Sequence, residues 1–154
     1  MGFSNLREGF RQTEPRTILN TSRVVLDTSV LISMERGAPL SPLEEYDLVI
    51  PTPVLAEFEY GLRRMPAAST RRGWKILEGL TQRAEIASFD SKAASKYAEL
   101  KNALAKVGKP RSETDLLIAS IASSLRLQLI STDRKAEFEL IPGVKLHPLS
   151  HKLH

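Results

Sequence analysis

From residue 23 onward the chain alternates short apolar runs with longer amphipathic ones. Arg23–Asp27 and Leu48–Ile50 are apolar runs too short for helices, so they predict buried strands. Glu85–Ser88 predicts a short third strand, Leu127–Ile130 a buried fourth and Val144–Leu146 a last edge strand. The intervening segments carry helical spacing. Thr28–Arg36 reads as a helix that Gly37 stops, and a second begins at Thr52 or Pro53 with Leu55, Phe58 and Leu62 on one face. Thr70–Arg83 places Trp74, Leu77 and Leu80 on a common stripe. Asp90 suits the N-cap of a helix running to Val107, with Gly108 as its stop. Glu113–Leu125 is apolar on nearly all sides and predicts a central helix; Pro42–Tyr46 predicts a short one in a connector. Such alternation implies a three-layer α/β/α fold, its mainly parallel central sheet holding about four or five strands.

Residues 1–22 are polar and aperiodic and read as a flexible N-terminal extension; residues 23–148 form the domain and 149–154 a C-terminal tail. At 154 residues the length fits one domain. With no cysteine, a disulfide framework and a Cys-based zinc site are excluded, which is compatible with a reducing cytosol. Met1–Phe10 lacks the apolar core of a signal peptide, and no apolar run approaches the ~20 residues of a membrane span, so a cytoplasmic location is expected. His147, His151 and His154 fall in a Pro-broken polar tail and read as solvated rather than as zinc ligands.

Charge changes the picture locally. The formal net charge is +4, and the stretch from Leu62 to Glu85 alone holds six basic residues against two acidic ones. Arg63, Arg64, Arg71 and Arg72 are the candidates there for contacts to a polyanion such as RNA; a solvated helix face is the plainer reading. Trp74 and Tyr97 sit at core spacing, so burial or a dimer contact explains them better than base stacking.

Four acids stand where strands end or helices begin. Asp27 closes the first strand, Glu57 lies early in the helix after the second, Asp115 opens the apolar helix and Asp133 follows the fourth strand. Singly, each has a structural explanation: Asp27 as a helix cap, Glu57 as a first-turn charge on the helix dipole, Asp115 in a capping box with Ser112, and Asp133 as a turn residue. Together they can meet at one edge of a parallel sheet, where such folds build their sites. Carboxylates gathered there repel one another unless a cation intervenes, and hard divalent ions favour oxygen ligands. Metal-assisted chemistry on phosphate is the implied class.

The segments VVLDTSVLI, PTPVLAEFEYGL, ETDLLIASIA and LQLISTDRKAEFELIPGVKL, in this order, resemble the PIN domain nucleases and in particular the VapC-type toxins of toxin–antitoxin pairs. The resemblance covers about residues 23–148. It implies that Asp27, Glu57, Asp115 and Asp133 form a catalytic quartet, with Asp27, Asp115 and Asp133 holding Mg²⁺ or Mn²⁺. Ser29 and Thr132 would be hydroxyl supports, and Glu113 an outer group of the site. It further implies an endoribonuclease leaving 5′-phosphate and 3′-hydroxyl ends on a tRNA, rRNA or mRNA target, a homodimer, and a VapB-type antitoxin that blocks the acidic pocket. Glu137 precedes Phe138 where the family often has an aromatic residue or His, and the N-terminal extension is longer than usual.

Two other phosphate-handling classes fit less well. A haloacid dehalogenase needs a second Asp two residues after the first, where this chain has Ser29; a receiver domain needs an acidic pair that is missing. A PIN nuclease of RNA processing without an antitoxin, or a non-catalytic RNA-binding protein whose acids only cap helices, remain as alternatives on the same fold.

Overall fold

The computed structural model describes residues 22–153, so the expected N-terminal extension lies outside the described residues apart from Ser22. Strands β1 (Arg23–Leu26), β2 (Asp47–Pro51), β3 (Glu85–Ala87) and β4 (Leu129–Ile130) form one sheet in the order β3-β2-β1-β4. Every pairing is parallel, with Val25 opposite both Val49 and Leu129, and Ile50 opposite Ile86. The helices are α1 (Thr28–Glu35), α2 (Thr52–Arg63), α3 (Arg71–Arg83), α4 (Ser91–Lys106) and α5 (Glu113–Leu125). Helices α1, α2 and α3 contact one another, and α4 packs along α5, giving the expected three-layer arrangement.

Burial follows the predicted stripes. Val24, Val25, Leu26, Val49, Ile50, Leu129 and Ile130 are buried in the sheet, covered by Val54, Phe58 and Leu62 of α2 and by Leu116, Ile118 and Ile121 of α5. Helix ends match their sequence signals. Gly37 (φ 110°) and Gly108 (φ 65°) adopt left-handed backbone just past α1 and α4, and Asp90 caps α4 by accepting from the Ala93 amide at 2.9 Å.

Several expectations are corrected. The fourth strand begins at Leu129, not Leu127, because Arg126 (φ 56°) closes α5 with a left-handed cap and the Leu127 amide is spent on the Ala122 carbonyl. The expected edge strand Val144–Leu146 reduces to a single bridge from Leu146 to Leu129, since Gly143 (φ 79°) turns the chain into it and Pro148 turns it away. The expected helix at Pro42–Tyr46 is one 3₁₀ turn, Ser41–Leu43, anchored by buried Leu43. The segment expected as a tail from residue 149 is part of the folded body: Pro148–His151 forms a 3₁₀ turn, and Ser150 and Leu153 are buried.

This topology decides where a site can form. From β1 the chain moves one way to β2 and β3, then returns across the sheet through α4 and α5 to β4 on the other side of β1. The crevice beyond the ends of β1 and β4 is therefore the point at which the strand order reverses, the usual ligand position in open α/β sheets.

Candidate active site

Asp27 sits at that crevice, 4% exposed, immediately after β1. Its amide donates to the Ile130 carbonyl at 3.0 Å, which ties the two strand ends together. The carboxylate occupies the N-cap position of α1 but makes no capping bond of normal geometry. Instead its Oδ2 accepts from Ser29 Oγ at 2.7 Å and from Ser131 Oγ at 2.8 Å. Burial pushes the Asp27 pKa up, while the Ser29 and Ser131 hydroxyls and the Ser29 and Thr28 amides pull against it.

Glu57 lies in the second turn of α2, past the reach of a first-turn dipole effect. Its pKa is raised by burial first, then by the charges of Asp27 and Asp115, with Asp133 adding to the same push. The Thr28 hydroxyl, buried and without a hydrogen-bond partner of normal geometry, lies near enough to favour the charged form. Asp115 is raised by burial, with Asp27 and Asp133 adding to the push and Ser112 and Arg111 opposing it. Ser112 does cap α5, accepting from the Asp115 amide at 3.1 Å. Asp133 combines two tasks: its Oδ1 accepts from the Lys135 and Ala136 amides at 3.0 and 3.3 Å, as a turn residue would, while its charge bears on Glu57 and Asp115.

The four acids thus share one electrostatic neighbourhood, and none is in an ion pair with another described residue. Among the described residues no three of them already stand as a closed ligand cage. The donor set nonetheless suits a hard divalent cation: oxygen ligands, one of them nearly buried and held by two hydroxyls, with no described ion pair to any of the four.

The supporting residues need correction. Ser29 touches Asp27 as expected, but Thr132 does not; its Oγ1 faces Ser33 Oγ at 3.3 Å, and only its amide reaches the site, donating to Ser29 Oγ at 2.9 Å. Chain alternation past β4 turns the Ser131 hydroxyl to Asp27 and that of Thr132 to Ser33. Ser131 is the residue the sequence reading missed, although its place two residues before Asp133 was the available signal. Glu113 is drawn to α4, where it pairs with Lys101 at 2.8 Å and accepts from the Tyr97 hydroxyl. Two positions before Asp115 on a helix, it lies well round the barrel from it. Arg111 was also missed. Its side chain is 12% exposed, its Nη2 is 3.5 Å from Glu137, and two of its nitrogens are buried without a hydrogen-bond partner.

Of the basic candidates, Arg63 pairs with Glu59 at 2.7 Å and lies over the Trp74 ring, while Arg64 lies over exposed Tyr60. Trp74 is therefore not core: it is 36% exposed on the flank of α3. Arg72 borders a groove of about 720 Å³ together with Leu43, Tyr46, Ile76 and Leu80, away from the quartet. That groove holds none of the four acids. His147 is not solvated as expected; it is buried edge-on against Tyr46, with a pKa lowered by burial.

The PIN domain family matches residues 24–143. The chain belongs to the PIN domain family. Within it, the relatives are VapC proteins. The chain is 37% identical over 112 residues to "Ribonuclease VapC5" of Mycobacterium tuberculosis, covering 71% of this chain and 82% of that protein. It is 28% identical over 128 residues to the "tRNA(fMet)-specific endonuclease VapC" of Shigella flexneri, covering 80% of this chain and 95% of the relative. Among solved structures, VapBC2 from Rickettsia felis bound to a promoter DNA fragment superposes with a TM-score of 0.71 at 28% identity, over 81% of this chain and 97% of that one. This PIN domain is therefore of the VapC type, and Asp27, Glu57, Asp115 and Asp133 all fall inside the matched region.

Proposed function

We propose that this chain is the endoribonuclease toxin of a VapBC-type pair and that its quartet cuts RNA with the help of Mg²⁺ or Mn²⁺. The observation that carries this is the convergence of four carboxylates, none of them in an ion pair with a described residue, on the crevice where the strand order reverses. Asp27, Asp115 and Asp133 would hold the ion, with Ser29 and Ser131 fixing the Asp27 carboxylate through its Oδ2. A divalent ion held there would supply polarisation of a water and neutralisation of charge on the phosphodiester. Glu57, whose pKa is raised, can take the proton of the attacking water through its carboxylate oxygen. Arg63, Arg64, Arg71 and Arg72 contribute attraction for the RNA backbone. A VapB-type antitoxin restrains the enzyme, and the active form is a homodimer in the cytoplasm. Among the described residues no helix is long and apolar enough to cross a membrane.

The test is cleavage of total tRNA and rRNA by the purified chain freed of any partner, with Mg²⁺, Mn²⁺ or EDTA, beside Asp115→Asn. Discrete products that need metal and vanish in the variant are expected. RNA binding without cleavage under every metal condition, equal in both proteins, would reduce the quartet to helix caps.

A further inference from the structure

The turn Pro148–His151 is closed on one side by the active-site strand. Buried Ser150 places its Oγ between two backbone groups of β4 and its exit: it accepts from the Ser131 amide at 3.2 Å and donates to the Leu129 carbonyl at 3.4 Å. Ser131 in turn spends its own hydroxyl on the site, donating to Asp27 Oδ2 at 2.8 Å and accepting from the Asp133 amide at 3.2 Å. A continuous chain of hydrogen bonds thus runs from the C-terminal turn to two of the four acids.

The turn is itself held firmly. His147 donates its amide to the Leu129 carbonyl at 2.8 Å, and its Nδ1 accepts from the Leu149 amide at 3.1 Å. The Ser150 amide donates to the His147 carbonyl at 2.9 Å, and the imidazole stands edge-on to Tyr46 with 4.9 Å between ring centres. A hydroxyl buried in such a frame has little freedom, so the Ser131 amide it receives has little freedom either. Loss of the Ser150 oxygen would leave that amide buried without an acceptor, and the cheapest relief is movement of the strand exit that carries Ser131.

We infer that Ser150 is a positioning residue of the active site, acting through Ser131 to set the Asp27 carboxylate and the Asp133 turn in the geometry that binds a divalent cation. The inference rests on the metal site proposed above. It adds the C-terminal turn to that site, although the turn contributes no group to it directly. Outer hydrogen-bond partners of metal ligands, as Ser131 is of Asp27, are commonly worth about 10- to 100-fold in affinity when removed, and Ser150 acts one bond further out, at the low end of that range.

The experiment compares the full chain with Ser150→Ala and Ser150→Thr. Mn²⁺ binding is measured by calorimetry and by the electron paramagnetic resonance of free Mn²⁺, without RNA; kcat and KM for RNA cleavage and the melting temperature are measured alongside. Ser150→Ala is expected to bind Mn²⁺ about 10-fold more weakly, to lose kcat with KM for RNA held, and to be rescued by Ser150→Thr, which restores the hydroxyl. Unchanged Mn²⁺ affinity and kcat beside a lowered melting temperature would overturn the inference and leave Ser150 a strand anchor. Should the alanine variant not fold, His147→Leu loosens the same turn without stranding the Ser131 amide; Mn²⁺ affinity equal to the parent's overturns the inference there too. A parent chain that binds no Mn²⁺ sinks the metal site itself, whereas a parent that binds it with no change in the variants sinks only the role of Ser150.

Discussion

The acidic crevice and the basic α2–α3 face carry charge in opposite ways. In the crevice, Asp27, Glu57 and Asp115 raise one another's proton affinity or are raised by burial; no described ion pair holds them, and Arg111 offsets only part of the push on Asp115. On the helix pair, Arg63 is matched to Glu59 and laid on Trp74, and Arg64 is laid on Tyr60 at the exposed surface. The second arrangement lowers free energy as it stands; the first raises it. Perturbed carboxylates cluster at functional sites, so the crevice is the region whose chemistry an external cation would complete, while Arg63 and Arg64 on the basic face already have partners within the chain.

The largest separation between the two regions should come from neutralising an acid. Asp27→Asn and Asp115→Asn are each expected to lower RNA cleavage by about 100-fold or more, with no fall in melting temperature. Retained cleavage in either variant would detach the crevice from the chemistry. The reverse pattern is expected for Gly73→Ala at the α2–α3 contact. A methyl group there would collide with the Leu62 side chain, so the variant should lose about 1–3 kcal/mol in urea unfolding while its kcat per folded molecule holds. A neutral outcome would mean that Leu62 simply swings aside.

Between these lies a stability cost within the crevice itself. Carboxyl groups whose folded pKa is raised add stability below their ordinary values, 3.8 for Asp and 4.5 for Glu, and that stability is lost as pH rises through the folded values. The carboxyls should therefore lower the melting temperature of the metal-free chain in EDTA as pH rises above their ordinary values, against His147, whose lowered pKa adds stability as pH rises through its ordinary 6.5. Glu57→Gln should flatten this dependence and stabilise the chain at pH 7 by under about 1 kcal/mol, since its half-exposed position screens the repulsion. A profile equally steep in the variant would show that Glu57 does not share the field of the other acids.

The fold was legible because periodicity and stop signals agreed: apolar triplets gave β1 and β2, and Gly37 and Gly108 ended helices where left-handed backbone was needed. The four acids were legible by place, each at a strand end or early in a helix. What escaped the sequence was tertiary. Arg126 closes α5 without the glycine that advertises such a cap, which shortened β4. His147 and Ser150 look like tail residues around Pro148 in sequence, and only the return of the chain to Leu129 buries them. Thr132 was the hydroxyl that the family resemblance implied; Ser131 carries one too, and the side that each faces depends on how the chain leaves β4.

The smallest effect is expected on the basic face. Arg63 is bonded to Glu59 with both side chains largely exposed, at 66% and 40%, so the pair contributes no more than about 0.5 kcal/mol. Arg63→Gln should leave the melting temperature nearly unchanged. Its effect on RNA is a separate question, because an arginine satisfied by a neighbouring carboxylate has less to offer a phosphate than a free one. If Arg63 contacts the RNA backbone, the slope of log K against log salt should shrink by about 0.7 for a single strand. A smaller change is expected, since Glu59 must first be displaced. A full step in the slope would show that the pair opens on binding and that the basic face, like the crevice, is completed by its ligand.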